Sequence, residues 1–113
     1  MRPLPSIAKG VLMEFDVRKE SDWVVVSVRG PLNFEHSDEL RSAFDRIVSE
    51  GSRKVRLQLK MVPVADSAGI SSILILYRSL KKRKGTLEIK GVSQNLLEMF
   101  KLLKIDKLIK IEE

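Results

Sequence analysis

The sequence has no cysteine and a single histidine, and this scarcity excludes several kinds of site. Without cysteine there is no disulfide framework, no iron–sulfur cluster, no thiolate zinc site and no cysteine nucleophile. Because His36 is the one histidine, a multi-histidine metal site is also excluded, and only carboxylates remain as metal ligands. A Ser-His-Asp site would require His36 beside Ser67, and Asp66 adjoins that serine too closely in sequence to orient the histidine. We therefore expect no enzyme activity and no cofactor.

Long hydrophobic runs are absent as well. No apolar stretch approaches the ~18–20 residues that cross a bilayer, and the first ten residues contain no apolar core of a secretory signal. The 113 residues are enough for one domain with a single hydrophobic core. We expect a cytoplasmic domain over residues 12–113, preceded by a short leader over residues 1–11.

The net charge of +6 is distributed unevenly. Residues 1–77 contain 11 basic and 10 acidic side chains, whereas residues 78–110 contain 10 basic and 3 acidic ones. A basic segment is compatible with nucleic acid, membrane headgroups or an acidic protein as partner. Residues 81–84, all basic and followed by Gly85, are more typical of a helix C-terminus, with the glycine as C-cap. Because no aromatic residues alternate with the basic ones, direct binding of nucleic acid is the less favoured alternative.

Two hydrophobic periods alternate along the chain. Apolar residues at every second position predict strands around residues 13–17, 24–28, 53–60 and 86–90, with a last strand or turn at 108–111. Apolar residues at spacings of three and four predict helices near Ser37, from Ile70 and after Ser93. The order β-β-α-β-α-β-α, with a hairpin at its start, predicts an α/β fold with a mixed sheet of four to five strands. Since the strands alternate apolar with polar residues, we expect the helices to pack mainly on one face.

The helical patterns also predict core positions. The first helix begins at Ser37, with His36 or Ser37 as its cap, and ends at Gly51. The predicted core face of the second helix comprises Ile70, Ile73, Leu74, Tyr77 and Leu80, and it leaves out Ile75 and Leu76. The predicted core face of the third helix comprises Leu96, Met99, Phe100 and Leu103.

The segment from Asp66 to Ile70 lies where a strand gives way to the second helix. Free backbone N–H groups and the positive end of the helix dipole favour an anion at such a position. Either Asp66 or Ser67 could simply cap the helix. Gly69 in the first turn costs about 1 kcal/mol relative to alanine, so helix stability does not explain it, whereas close approach by another backbone or side chain does. A hydroxyl flanked by small residues at a protruding turn is accessible to a kinase or a partner.

These residues resemble a motif of the STAS domain family, and in particular of its anti-sigma factor antagonists. The family's Asp-Ser-[Ser/Ala]-Gly-[Leu/Ile] motif at the start of its second helix is matched by residues 66–70. Its Gly-x-Leu-Asp turn before the first helix is matched by residues 30–33, with Asn33 in place of the usual Asp. Residues 86–105 are similar to the family's last strand and helix. The resemblance covers about residues 12–111 and implies the STAS fold, in agreement with the order of elements.

The resemblance implies a switch that carries out no catalysis. In the family, the unphosphorylated antagonist binds an anti-sigma factor, which is also a serine kinase, and a sigma factor is thereby released for transcription. The kinase phosphorylates the motif serine, here Ser67, and a PP2C-type phosphatase reverses the modification. The residues implied in partner binding are Asn33, Phe34, Asp66, Ser67, Ala68, Gly69 and Ile70, and further phosphorylation candidates are Ser71 and Ser72. A different STAS role, as a subunit of a stress-sensing scaffold or an accessory of a transporter, is the alternative.

Overall fold

A computed structural model describes residues 14–113, which form five strands and three α-helices. The strands are β1 (Glu14–Glu20), β2 (Trp23–Arg29), β3 (Lys54–Met61), β4 (Thr86–Val92) and β5 (Lys110–Glu112). The helices are α1 (Ser37–Ser49), α2 (Ser67–Lys82) and α3 (Gln94–Leu102), with 3-10 helices at Phe34–His36 and Ile105–Lys107. The predicted order is confirmed, and the last segment forms a strand. The predicted leader and Met13 lie outside the described residues.

The sheet is mixed and has the strand order β1-β2-β3-β4-β5. The predicted hairpin is confirmed, since β1 and β2 are antiparallel. Lys19 and Glu20 pair with β2, so only Ser21 and Asp22 form the turn. Strands β2 to β5 are all parallel. Their carboxyl ends therefore meet at one edge of the sheet, the carboxyl edge, and the helices run back to the opposite amino edge.

The helices pack on one face of the sheet, as predicted. The strand residues in the core alternate along each strand and include Val24, Val26, Val28, Val55, Leu57, Leu59, Leu87 and Ile89. The opposite face is mostly polar, and there the Arg56 guanidinium lies 2.6 Å from Glu88 and 4.5 Å from the ring centroid of Trp23. Val25 is fully buried on that face, between Arg18 and Arg56 in the ladder. Long arginine stems can cover an apolar residue in this way while their charged groups stay in water.

The buried face of α2 differs from the predicted stripe. Leu76, which the spacing placed outside the core, is 1% exposed, whereas Leu74 and Tyr77 are only partly buried. The helix contacts both α1 and β4. Because two neighbours flank it, its buried surface is wider than a single stripe and turns toward Leu76.

The end of α3 also differs from the prediction. Leu97 rather than Leu103 enters the core, and Leu103 is 56% exposed. The helix ends at Leu102, and the left-handed backbone of Lys104, with φ of 60°, redirects the chain. Leu103 therefore leaves the helical face that its spacing predicts. The start of α3 is confirmed, because the Ser93 hydroxyl accepts a hydrogen bond from the backbone N–H of Leu96 at 3.3 Å.

Gly85 does not have the predicted C-cap conformation. The left-handed residue after α2 is Lys84, with φ of 59°. A Cβ added to Gly85 would lie 2.5 Å from the carbonyl oxygen of Arg53, which is too close for any side chain. The glycine is therefore required by the approach of the segment before β3, and not by the helix end itself.

Candidate functional site

Two loops pair with each other at the carboxyl edge, beyond the ends of β2 and β3. The Gly30 N–H donates to the carbonyl of Met61 at 3.1 Å, and the Leu32 N–H donates to that of Val64 at 3.0 Å. In the reverse direction, the Asp66 N–H donates to the carbonyl of Leu32 at 2.9 Å. These bonds hold the segment that leads into α1 beside the segment that leads into α2.

The Asp66 carboxylate joins the two segments a second time. It caps α2, because Oδ1 accepts a hydrogen bond from the Gly69 N–H at 3.0 Å. Its other oxygen, Oδ2, accepts from the Phe34 N–H at 3.0 Å, at the start of the first 3-10 helix. The bond from Gly69, with a smaller contribution from Phe34, lowers the pKa of Asp66 below its ordinary value despite partial desolvation. The site therefore contains an ionised carboxylate at neutral pH.

Ser67 is the first residue of α2, and it is exposed. Because Asp66 already serves as the N-cap, the Ser67 hydroxyl is not needed for capping. Within residues 14–113 this hydroxyl forms no hydrogen bond. The first turn of α2 contains no acidic residue. The hydroxyl is thus accessible, uncommitted and placed at the positive end of a 16-residue helix.

The small residues that follow Ser67 face the protein itself. Ala68 is half-buried, and Gly69 and Ile70 are buried. A Cβ on Gly69 would overlap the backbone carbonyl of Leu32. The close approach that the sequence predicts is therefore made by the chain's own backbone, and Gly69 and Ile70 can position the site but offer little surface to a partner.

The remaining residues before α1 have mixed exposure. Asn33 is half-buried, and its Oδ1 has no hydrogen-bond partner within residues 14–113. His36 occupies the predicted N-cap position of α1, but its side chain does not cap the helix. Its ring is buried, and Nδ1 lies 3.4 Å from Oε1 of Glu39. The hydroxyl of Ser37 instead donates to the carbonyl of Phe34 at 3.1 Å.

The two paired loops that contain the site also carry exposed apolar side chains. Phe34 is 77% exposed, Met61 61% and Val64 54%. The sequence patterns did not identify Met61 and Val64 as site residues. The apolar run at residues 61–65, where the strand alternation ends, could have indicated them. We call Phe34, Met61, Val64 and Ser67 the Ser67 surface.

The two additional phosphorylation candidates differ in accessibility. Ser71 is exposed on α2. Ser72 is fully buried, and its hydroxyl donates to the carbonyl of Ala68 at 3.1 Å. A kinase could therefore reach Ser71 but not Ser72 in the folded domain.

Comparison with known proteins identifies the family. Residues 14–113 match the family model of the STAS domain. The chain belongs to the STAS domain family. This STAS domain is 24% identical over 96 residues to the anti-sigma-B factor antagonist of Bacillus subtilis, which covers 85% of this chain and 87% of the relative. The expected STAS fold is confirmed.

Two solved structures show how widely this fold is used. The STAS domain is similar to an anti-sigma factor antagonist from Mycobacterium paratuberculosis, with a TM-score of 0.81 and 20% identity over 88% of this chain and 85% of the other. It is also similar to a sulfate transporter family protein from Wolinella succinogenes, with a TM-score of 0.72 and 22% identity over 82% of this chain and 78% of the other. Within residues 14–113, no helix combines the length and apolar character of a transmembrane helix.

Replacing Gly69 with alanine should destabilise the STAS domain. In an exposed helix this change stabilises by about 1 kcal/mol, but here the new Cβ overlaps Leu32, and overpacking of this kind costs about 1–3 kcal/mol. Urea denaturation measures the difference. Ser71→Ala, at an exposed position in the same helix, is the matched control and should not destabilise. Equal stability of the parent and Gly69→Ala would contradict the packing described.

Replacing Asp66 with alanine should destabilise the STAS domain at neutral pH, because two backbone N–H groups lose their acceptor. The folded-state pKa of Asp66 is lowered, so its contribution to stability is fully present above the unfolded-state pKa. That contribution is lost as the pH falls below about 4 and through the folded-state pKa. The difference in unfolding free energy between the parent and Asp66→Ala should therefore narrow in acid.

Urea denaturation at a series of pH values tests this dependence on Asp66. The matched control is Asp38→Ala, which removes an exposed carboxylate from the first turn of α1. Within residues 14–113 the Asp38 side chain accepts no hydrogen bond from a backbone N–H. If both variants lose the same unfolding free energy with the same pH dependence, the capping bonds of Asp66 do not contribute specifically to stability.

Proposed function

We propose that this STAS domain is an anti-sigma factor antagonist, a protein-binding module without catalytic activity that is controlled by phosphorylation of Ser67. In its unphosphorylated form it binds an anti-sigma factor, so that a sigma factor is released for transcription. The observation that carries the proposal is the Ser67 hydroxyl, which is exposed and uncommitted at the start of α2. The similarity to two anti-sigma factor antagonists supports the same function.

The unphosphorylated Ser67 surface is suited to binding a protein. It combines three exposed apolar side chains with a neutral hydroxyl at the carboxyl edge. Phe34 is its largest side chain, and complete burial of a phenylalanine contributes about 1.5–3 kcal/mol. Aromatic residues also act as anchors in the centre of many interfaces. Asn33, Asp66 and Ala68 would form the polar and small-residue rim of the same contact.

Phosphorylation would make this surface negatively charged without unfolding the domain. A phosphate adds about −1.5 to −2 charges at pH 7. The positive end of α2 favours that charge locally, and the two capping bonds of Asp66 do not involve the Ser67 hydroxyl. A partner that packs on this surface would have to desolvate the phosphate beside an ionised Asp66. A loss of affinity of 10²–10³ requires only about 3–4 kcal/mol, which one poorly solvated charge supplies.

The partners we propose are an anti-sigma factor that is a serine kinase and a PP2C-type phosphatase, both in the cytoplasm. The kinase transfers the γ-phosphoryl group of ATP to the Ser67 oxygen, which loses its proton, and ADP is released. The phosphatase uses water to cleave the phosphoserine ester, which regenerates Ser67 and releases inorganic phosphate. Both steps require access to the Ser67 oxygen, and its exposure meets that requirement. The chain has no phosphate-binding loop of the Walker type, so the proposal assigns both reactions to the partners.

A subunit of another STAS system is the second candidate. The similarity to a sulfate transporter family protein favours it, because the same fold occurs in a different context. The two candidates differ in the partner that binds to the Ser67 surface. A serine kinase that binds there only when Ser67 is unphosphorylated would support the sigma-factor circuit. A transporter or scaffold subunit that binds there would support the alternative.

Changing Ser67 should separate binding from phosphorylation. Ser67→Ala should still bind the anti-sigma factor but should accept no phosphate, whereas Ser67→Asp should bind at least about tenfold more weakly because it places a charge in the contact. The partner is captured from the native host on immobilised parent protein, identified and purified. Its affinity is then measured by calorimetry, and phosphate incorporation is followed with ATP.

Ser71→Ala is the matched control for these experiments, because Ser71 is an exposed serine one helical turn further along α2. It should bind and be phosphorylated like the parent. Phosphorylation of Ser67→Ala to the same extent as the parent would refute the role of Ser67.

Truncating Phe34 should weaken the complex without affecting the fold. Because Phe34 is 77% exposed, Phe34→Ala should keep the parent's unfolding midpoint. Loss of an interface anchor should reduce the affinity for the anti-sigma factor at least about tenfold. Ile75→Ala, at an exposed apolar position on α2, is the matched control and should bind like the parent. Equal affinities of Phe34→Ala and the parent would show that the partner binds elsewhere.

A further inference from the structure

Exposed apolar side chains form a second group, at the amino edge. Of the seven large exposed hydrophobic residues within residues 14–113, three belong to the Ser67 surface and one, Ile75, lies in the middle of α2. The remaining three lie at the end of α3 and in its connection to β5: Leu102 is 82% exposed, Leu103 56% and Leu108 54%.

The connection that carries these leucines is itself fixed to the core. Ile105 and Ile109 are 3% and 1% exposed, so both pack inside the domain. The N–H groups of Leu108 and Ile109 both donate to the carbonyl of Ile105, at 2.9 Å. The leucines on either side of Ile105 are therefore held outward by a segment whose other apolar residues are buried. Packing in the hydrophobic core therefore does not explain why these three exposed positions are leucines.

Basic side chains share the amino edge with these leucines. Lys101, Lys104 and Lys107 alternate with them along the chain, and the one acidic residue among residues 101–108 is Asp106. The four basic residues 81–84 lie at the same edge, because α2 and α3 both end there and the strands that follow them, β4 and β5, pair side by side. Within residues 14–113, none of these seven cations forms a salt bridge. We call them, together with Leu102, Leu103 and Leu108, the basic leucine surface.

A helix C-terminus explains only part of this charge. Cations at residues 81–84 complement the dipole of α2, as the sequence predicts. That effect does not explain why further lysines and three exposed leucines occur together after α3. The combination of exposed aliphatic side chains with cations at one edge indicates a ligand that is apolar inside and anionic at its surface.

We propose that the basic leucine surface binds an anionic lipid membrane. The leucines enter the boundary between headgroups and acyl chains, and the lysines and Arg83 contact lipid phosphates. Clusters of four to eight lysines and arginines are typical of sites that recognise acidic lipids. Long lysine side chains suit such a boundary, because their stems stay in apolar surroundings while the ammonium groups reach the phosphates.

A lipid surface fits these residues better than a protein or a nucleic acid. Lysine is depleted in protein–protein interfaces, which favour aromatic residues and arginine. Surfaces that bind single-stranded nucleic acid place aromatic residues among the cations, and residues 101–109 contain none. Aliphatic side chains surrounded by lysine are instead the composition of interfacial membrane segments.

Binding through the amino edge would leave the opposite edge free. The Ser67 surface lies at the carboxyl ends of the parallel strands, and the basic leucine surface lies where α2 and α3 end. A membrane-bound domain could therefore still present Ser67 to a kinase. The membrane site goes beyond the anti-sigma factor antagonist function and does not depend on it.

Co-sedimentation of the full chain with lipid vesicles tests the proposal. The parent should bind vesicles that contain phosphatidylserine at low salt and should bind vesicles of phosphatidylcholine alone much more weakly. Raising the salt to about 0.15 M should reduce binding, because exposed charges are then screened beyond about 8 Å. Failure to bind phosphatidylserine vesicles at low salt would overturn the proposal.

Two sets of substitutions separate the contributions of charge and apolar contact. The combined variant Lys81→Gln, Lys82→Gln, Lys101→Gln and Lys104→Gln should weaken binding more than tenfold, since one cation near an anionic membrane contributes about fivefold. The combined variant Leu102→Ser, Leu103→Ser and Leu108→Ser should weaken it by a similar factor. Circular dichroism melting verifies that both variants fold, as their exposure predicts.

The matched controls remove the same chemistry elsewhere. Lys60→Gln combined with Lys90→Gln removes two exposed cations distant from the amino edge, and Ile75→Ser removes an exposed apolar side chain from the middle of α2. Both should bind vesicles nearly as well as the parent. If these control variants lose as much vesicle binding as the test variants, the attraction is nonspecific and the proposal is overturned.

Two further measurements distinguish the alternatives. Binding of duplex or single-stranded DNA that the lysine variant loses and the leucine variant keeps, without vesicle binding, would show a nucleic-acid site instead. Ser67→Asp should bind vesicles like the parent, because the two surfaces lie at opposite edges. Vesicle binding by a chain that captures no anti-sigma factor would refute the proposed antagonist function and leave the membrane site supported.

Discussion

The geometry of the carboxyl edge depends on one carboxylate that accepts two backbone hydrogen bonds. Asp66 binds the Gly69 N–H at the start of α2 and the Phe34 N–H on the neighbouring loop, both at 3.0 Å. The side chain therefore caps a helix and ties together two segments that are distant in sequence. Because Asp66 fills the cap, the Ser67 hydroxyl takes no part in it, and the proposed phosphorylation of Ser67 would leave the cap intact.

Close backbone packing supports the same arrangement. Gly69 lets the start of α2 approach the Leu32 carbonyl. The backbone of Leu32 also forms hydrogen bonds with the backbone of Val64 and of Asp66. Gly69 is therefore required by close packing between two backbone segments, which the sequence motif alone does not show. The exposed side chains of the Ser67 surface project from these hydrogen-bonded segments, so the proposed binding surface is preformed.

Parallel strand topology separates the two surfaces proposed to bind partners. Strands β2 to β5 all end at one edge, and each helix returns the chain to the other. Residues near strand ends, such as Ser67, therefore collect at the carboxyl edge, whereas residues at helix ends, such as Leu102, collect at the amino edge. A neutral, apolar surface that phosphorylation would make anionic and a permanently basic one can thus coexist in one small domain without sharing residues.

The sequence by itself determined the order of elements, the mixed sheet with helices on one face, the starts of α1 and α3, and the exposed serine, because these depend on local periodicity, capping and the family motif. Only the tertiary structure decided that Leu76 is buried and Leu103 exposed, since burial depends on which neighbours flank a helix and where the chain leaves it. It likewise decided that Gly69 and Gly85 are required by approaching backbone carbonyls, and that Met61 and Val64 are exposed on the loops at the carboxyl edge. Such contacts join residues far apart in the chain, and no local pattern encodes the distance between them.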